Sequence, residues 1–175
     1  MLTEFLSEEN IAMHKEYVRQ KHLKYSIIES YLPCIKGARV SDVVRLGLKR
    51  EDRRDVLRLL PEIVLHGVYF SSFSDRRCVR CDAVARSYGS EAAYLNLLFE
   101  TVKSIETGFL AIYRDGTALA FTDPKEAFVR GEPVLAIDLA EHAYFLDYGF
   151  DRDRYLGNCL TYLDLTKLTS QNSEV

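Results

Sequence analysis

No stretch of this 175-residue chain approaches the roughly 20 consecutive apolar residues that cross a bilayer, because charged side chains interrupt every hydrophobic run. A membrane-spanning helix is therefore excluded. A basic excess is absent too: 23 Lys and Arg stand against 26 Asp and Glu, the net charge is -3, and the cations are scattered rather than banked. Such a chain cannot neutralise a run of phosphates, so a nucleic-acid partner is not expected. The first residues, Met1 to Glu9, are acidic and break up their apolar members, without the basic start and unbroken apolar stretch of a signal peptide. A cytoplasmic protein is expected. Cysteine is scarce. Cys34, Cys78, Cys81 and Cys159 are too few and too far apart for a disulfide-framed miniprotein, and in the cytoplasm they are thiols. Cys78 and Cys81 form one CxxC, half of what structural zinc requires, and no second pair follows. Two thiols on a surface helix or loop is the simpler reading.

What is present suits a compact soluble protein: 47% of residues are apolar and 28% charged, enough to bury a real core in one or two domains. Ser7 can cap a helix running to about Leu32, where Pro33 stops it. Ile11, His14, Val18, Tyr25 and Ile28 fall within a narrow arc of that helix, so His14 sits in an apolar stripe. A looser stretch from Gly37 to Gly47 and a charged one from Lys49 to Arg54 lead to helical periodicity from Val56 to Phe73, which Pro61 kinks or restarts. Glu62, His66, Phe70 and Phe73 share one face of it. The two helices predict an antiparallel hairpin over residues 1–75.

Residues 76–175 change texture. Helical stretches at Cys78 to Tyr88 and Glu91 to Ile105 precede three short strands, Gly108 to Tyr113, Thr117 to Thr122 and Pro133 to Ile137, the first two joined by the Arg114-Asp115-Gly116 turn. From Leu139 to Leu165 the helical spacing returns with a break near Gly149, and a polar tail from Thr169 to Val175 closes the chain. The predicted class is α+β: an N-terminal helical hairpin followed by an α/β domain with a small three-stranded antiparallel sheet.

Asp138-Leu139-Ala140-Glu141-His142 places a carboxylate at a strand end and an imidazole four residues on, where both can point into one small volume. The same spacing also fits a helix-capping pair of Asp138 and Glu141. Spacing by itself favours the cap.

The longer segment Asp138-Leu-Ala-Glu141-His142-Ala-Tyr144-Phe145-Leu-Asp-Tyr148, followed by Arg152-Asp153-Arg154-Tyr155-Leu156, resembles the C-terminal signature of the iron/manganese superoxide dismutases, Asp-x-Trp-Glu-His-Ala-Tyr-Tyr-Leu-x-Tyr and then Arg-Pro-Asp-Tyr. Ser7 to His14 resembles the stretch that delivers that family's first ligand. Val64 to Phe70 is similar to its Asn-His-x-x-Phe-Trp segment, and Tyr88-Gly89-Ser90 and Pro133 to Asp138 match two further passages. The resemblance implies one iron or manganese ion per subunit, held by His14, His66, Asp138 and His142. It implies dismutation of superoxide to dioxygen and hydrogen peroxide, and a homodimer in which Glu141 reaches the ligand histidine of the other subunit. Three neutral imidazoles and one carboxylate suit either metal.

The chain also departs from the family pattern. It contains no tryptophan, so Ala140, Phe70 and Phe109 stand where indoles wall the family's site. Val18 falls at a position usually held by histidine, and His22 at that of the gateway tyrosine, a role Tyr25 takes only in a different helix register. The two positions that supply the outer-sphere glutamine hold Glu62 and Glu126. A carboxylate there would tune the metal through the groups around its ligands, whereas a surface acid would not. Three functions follow: a superoxide dismutase, a metal-binding or scaffold protein of the same fold without dismutation, or another redox activity such as peroxide chemistry at the same ion.

Overall fold

The computed structural model describes residues 2–43, 46, 48–75 and 81–168. Helix α1 (Glu8–Tyr31) starts where the Ser7 Oγ accepts the Asn10 N–H at 3.1 Å, and it ends ahead of Pro33, which opens a 3₁₀ turn, Pro33–Ile35. A short α2 (Val40–Val43) leads to α3 (Arg50–Phe70), which absorbs the charged segment and continues through Pro61. The amphipathic pattern around Pro61 outweighs the hydrogen bond it cannot donate. Buried Asn10, His14, Val18, Tyr25 and Ile28 form the inner seam of α1. The early part of α1 meets the end of α3 at the histidines, while Tyr25 and Ile28 pack with Val56, Leu59 and Leu60 from its start. The two helices are therefore antiparallel, as their periodicity predicts.

Helices α4 (Asp82–Tyr88) and α5 (Glu91–Val102) come next, α5 capped by Ser90. The sheet has strand order β2-β1-β3, all antiparallel, with β1 (Phe109–Ile112) between β2 (Ala118–Phe121) and β3 (Leu135–Asp138). The central strand β1 and the edge strand β3 are both buried along their whole length, so their sequences lack polar alternation. Gly108, at φ +117°, turns the chain into β1. A Cβ there would stand 2.0 Å from the Phe121 carbonyl oxygen, so only glycine fits. Its own carbonyl accepts the Leu139 N–H at 2.9 Å and so anchors the chain just past Asp138. A 3₁₀ turn (Glu141–Ala143), α6 (Phe145–Tyr148) and α7 (Arg152–Tyr162) complete the described elements with a last 3₁₀ turn, Leu165–Lys167.

Two apolar clusters hold the fold. The larger joins Leu2, Leu6, Leu65, Tyr69 and Phe73 to the sheet and to α5 and α7, so it runs across the expected boundary at residue 75. The end of the hairpin is thus part of the same core as the sheet. The smaller cluster lies at the far end of the hairpin, among Tyr25, Ile28, Ile35, Val43, Val56 and Leu59. No helix among the described residues is long and apolar enough to cross a membrane. Cys34 is exposed, but Cys81 is buried at the start of α4, where its backbone N–H donates to Glu91 Oε1 at 2.7 Å. The surface-thiol reading fails for Cys81 because that cap draws it into the core; Cys78 lies outside the described residues.

Candidate metal centre

Each of the four expected ligands comes from a different element. His14 lies on the inner seam of α1, His66 near the end of α3, Asp138 at the last position of β3 opposite Phe109, and His142 in the Glu141–Ala143 turn. Asp138 is held by two hydrogen bonds. Its Oδ1 accepts the Ala140 N–H at 2.9 Å and its backbone carbonyl accepts the Tyr155 hydroxyl at 2.8 Å, while Tyr155 in turn meets the Tyr69 hydroxyl at 3.2 Å. The Oδ1 contact goes to Ala140, and the following turn starts without a side-chain cap, so the capping pair of Asp138 and Glu141 is not formed. The carboxylate is turned toward the histidines instead.

Its Oδ2 lies 3.2 Å from His14 Nε2, 3.2 Å from His66 Nε2 and 3.0 Å from His142 Nε2. The four ligand atoms are all within 4.8 Å of one another. Neither Asp138 Oδ2 nor His14 Nε2 has a hydrogen-bond partner, although both are buried. His66 Nδ1 lies 2.7 Å from the Glu62 carbonyl, which can only accept, so Nδ1 carries the proton and a neutral His66 turns a lone pair inward from Nε2. That lone pair faces a carboxylate oxygen and, at 3.4 Å, His142 Nε2. Such a set of acceptors around one point repels itself unless a cation lies between them. Nitrogen and oxygen donors without a thiolate match iron or manganese, so the residues fit the ion that the resemblance implies.

Burial, the largest influence on His14, holds its imidazole below the ordinary histidine range despite the neighbouring carboxylate. Burial by itself would raise the Asp138 carboxyl, but the imidazoles of His14, His142 and His66 outweigh it and hold the group well below the usual carboxylate range. Both directions favour a neutral His14 and an ionised Asp138, the forms that bind metal. Phe70 and Tyr69 pack on the His14 ring and Phe109 meets the His66 ring edge-on, so phenyl and phenol rings form the wall.

Three side chains are 0–1% exposed, whereas His142 is 28% exposed, so the centre opens on the His142 side. Tyr17 covers that side, its ring stacked on His142 with centroids 4.1 Å apart. Its hydroxyl donates to Glu62 Oε1 at 2.8 Å, and Lys21 Nζ lies 3.0 Å from the same carboxylate. Glu62 thus reaches the open side through Tyr17, and its carboxylate is paired with Lys21.

His22 does not join the cluster. Eight residues beyond His14 is about 12 Å along a helix, and His22 is exposed beside a separate groove with Leu23, Ser26 and Gly37. Tyr25 is in the outer core with its hydroxyl near the Ile35 carbonyl. Glu126 is exposed on the Pro124–Phe128 turn, because the buried residue of that turn is Ala127. Glu141 is exposed at the start of its turn. Sequence reading missed Tyr17, although it stands three positions after His14, on the side of α1 that adjoins Glu62.

Comparison with known proteins agrees with this geometry. Residues 80–171, more than half of the chain, match the model of the C-terminal domain of iron/manganese superoxide dismutases. The chain belongs to the iron/manganese superoxide dismutase family. It is also 32% identical over 120 residues to "Superoxide dismutase [Fe]" of Cupriavidus metallidurans, a match covering 63% of this chain and 59% of that protein. The family fold and the four converging ligand atoms agree.

Proposed function

We propose that the protein is a superoxide dismutase with one iron or manganese ion per subunit, held by His14, His66, Asp138 and His142. The observation that carries this reading is the convergence of three Nε2 atoms on the unpartnered Asp138 Oδ2 within a fold of this family. A redox-active ion bound there supplies alternate oxidation of superoxide to dioxygen and reduction to hydrogen peroxide.

The chain's own groups do the rest. Phe70, Tyr69 and Phe109 exclude water from the buried side, and His66 is held as its Nδ1–H tautomer by the Glu62 carbonyl. Tyr17 keeps a hydroxyl proton at the open side, shared with Glu62 Oε1, where a proton is needed for peroxide to leave. Glu62 also lines a groove of about 510 Å³ with Arg54, Arg58, Asp123 and Lys125, in which Asp123 pairs with Lys125 and Arg58 is a further cation. We assign Tyr17 and Glu62 to the reaction in place of His22 and Glu126.

The functional unit is a two-fold homodimer. Exposed Glu141 lies in sequence shortly before Phe145, Leu146 and Phe150, which are 43%, 47% and 91% exposed, with the Phe145 and Phe150 ring centroids 5.3 Å apart. A self-complementary contact there would bring each Glu141 to the partner's metal centre. Sedimentation should give a dimer at micromolar concentration, and Glu141→Ala should weaken dimerisation and metal retention together. Metal content of protein purified without added metal, followed by superoxide consumption by the metal-loaded protein, tests the activity. Stoichiometric iron or manganese with no consumption would leave a metal-binding protein and defeat the dismutase assignment.

A further inference from the structure

Asn10 is fully buried, yet neither its Oδ1 nor its Nδ2 has a hydrogen-bond partner. Buried amides are almost always satisfied, so this one requires an explanation. It is the third residue of α1, where a polar side chain commonly reaches back to the N–H of the capping residue. That role is already filled, because the Ser7 N–H donates to Asp147 Oδ2 at 2.8 Å. The Asn10 amide is left over at the helix start.

One turn further along the same face is His14, which is 1% exposed and whose Nδ1 also lacks a partner. Residues four apart on a helix have Cβ atoms about 5–6 Å apart, within reach of an amide and an imidazole. A neutral His14 that presents its Nε2 lone pair to the centre carries its proton on Nδ1, and that proton needs an acceptor. His66 shows the arrangement completed: its Nδ1–H goes to the carbonyl of Glu62, also four residues earlier.

We infer that Asn10 is a positioning residue for His14, its Oδ1 accepting the Nδ1–H and so fixing both the tautomer and the ring angle. That hydrogen bond would satisfy Asn10 Oδ1 and His14 Nδ1, two of the orphaned side-chain atoms on this face. The inference rests on His14 being a metal ligand, as proposed above.

Asn10→Leu and Asn10→Asp test it, with iron(II) loaded anaerobically and titrated against a competing chelator. Loss of a group that orients a ligating histidine lowers metal affinity roughly 10- to 100-fold, so Asn10→Leu should show that loss while Asn10→Asp, which keeps an acceptor, retains most of the affinity. Metal-free Asn10→Leu should unfold earlier than the parent, because the buried His14 Nδ1–H is left without its acceptor, while Asn10→Asp should lose less. Equal affinity in the parent and Asn10→Leu overturns the inference. If the parent holds neither iron(II) nor manganese(II), the metal reading fails, and nitrogen NMR of metal-free protein then decides the role of Asn10. A protonated His14 Nδ1 with a slowly exchanging proton supports it, and a proton on Nε2 overturns it. The same measurement on the parent serves if Asn10→Leu does not fold.

Discussion

The two ends of the helical hairpin are built from the same pair of helices but closed in opposite ways. At the outer end, Tyr25 and Ile28 of α1 meet Val56, Leu59 and Leu60 of α3 in a seam that completes itself by burying apolar surface. At the inner end the same helices bury His14 and His66 against Asp138, with Asn10 buried one turn before His14, and several of these polar atoms have no hydrogen-bond partner among the described residues. Enclosing unpaired polar groups is unfavourable unless something else satisfies them. The outer end is thus a structural seam, and the inner end is where the proposed metal ion would sit.

The sharpest way to break this contrast is at the carboxylate. Asp138→Ala should abolish stoichiometric metal binding, read by elemental analysis of the purified protein, while hydrogen exchange in the Tyr25–Leu59 seam stays as in the parent. Truncation at the outer end should do the reverse. Leu59→Ala should cost about 2–5 kcal/mol in denaturant unfolding, as large-to-small core changes do, with metal stoichiometry of the folded protein intact.

A smaller effect is expected where the large core supports the metal centre. Tyr155→Phe leaves the buried Asp138 carbonyl without its donor and should cost about 1–3 kcal/mol, with faster release of metal to a chelator. Retention of both stability and metal would show that the strand end is held by the sheet ladder alone.

Acid should separate the two ends most gradually. His14 is held below its ordinary value of 6.5, chiefly by burial, so below that pH the unfolded chain takes a proton that the folded chain refuses. Asp138 is held well below 3.8, so its contribution is present above that value and is lost as pH falls toward its depressed folded value. Both shifts make the unfolded state bind more protons, so the stability of metal-free protein should decline below about pH 6.5 and again below about pH 3.8. The ionisable group in the outer seam, Tyr25, is pushed up to about 12, chiefly by burial, and is silent in acid. A His14→Phe variant should lose the first decline, as measured by urea unfolding across pH.

The helices, the three strands and the four converging side chains were legible in the chain because each rests on a local pattern. Ser7 and Ser90 cap helices, Arg114-Asp115-Gly116 turns a hairpin, and Asp138 with His142 sits in a long matching segment. Tyr17 was not legible, because its importance depends on Glu62 and His142 lying beside it, 45 and 125 residues further along the chain. His22 failed for the converse reason: counting positions along an alignment says nothing about which helix face the neighbours cover. Sequence alone determined which residues could bind a metal, since donor chemistry belongs to side-chain type. Only the tertiary structure decided that Glu62 is neutralised by Lys21, that Tyr17 covers the open side, and that Asn10 is left without a partner, because pairing of buried groups depends on distances that no local pattern encodes.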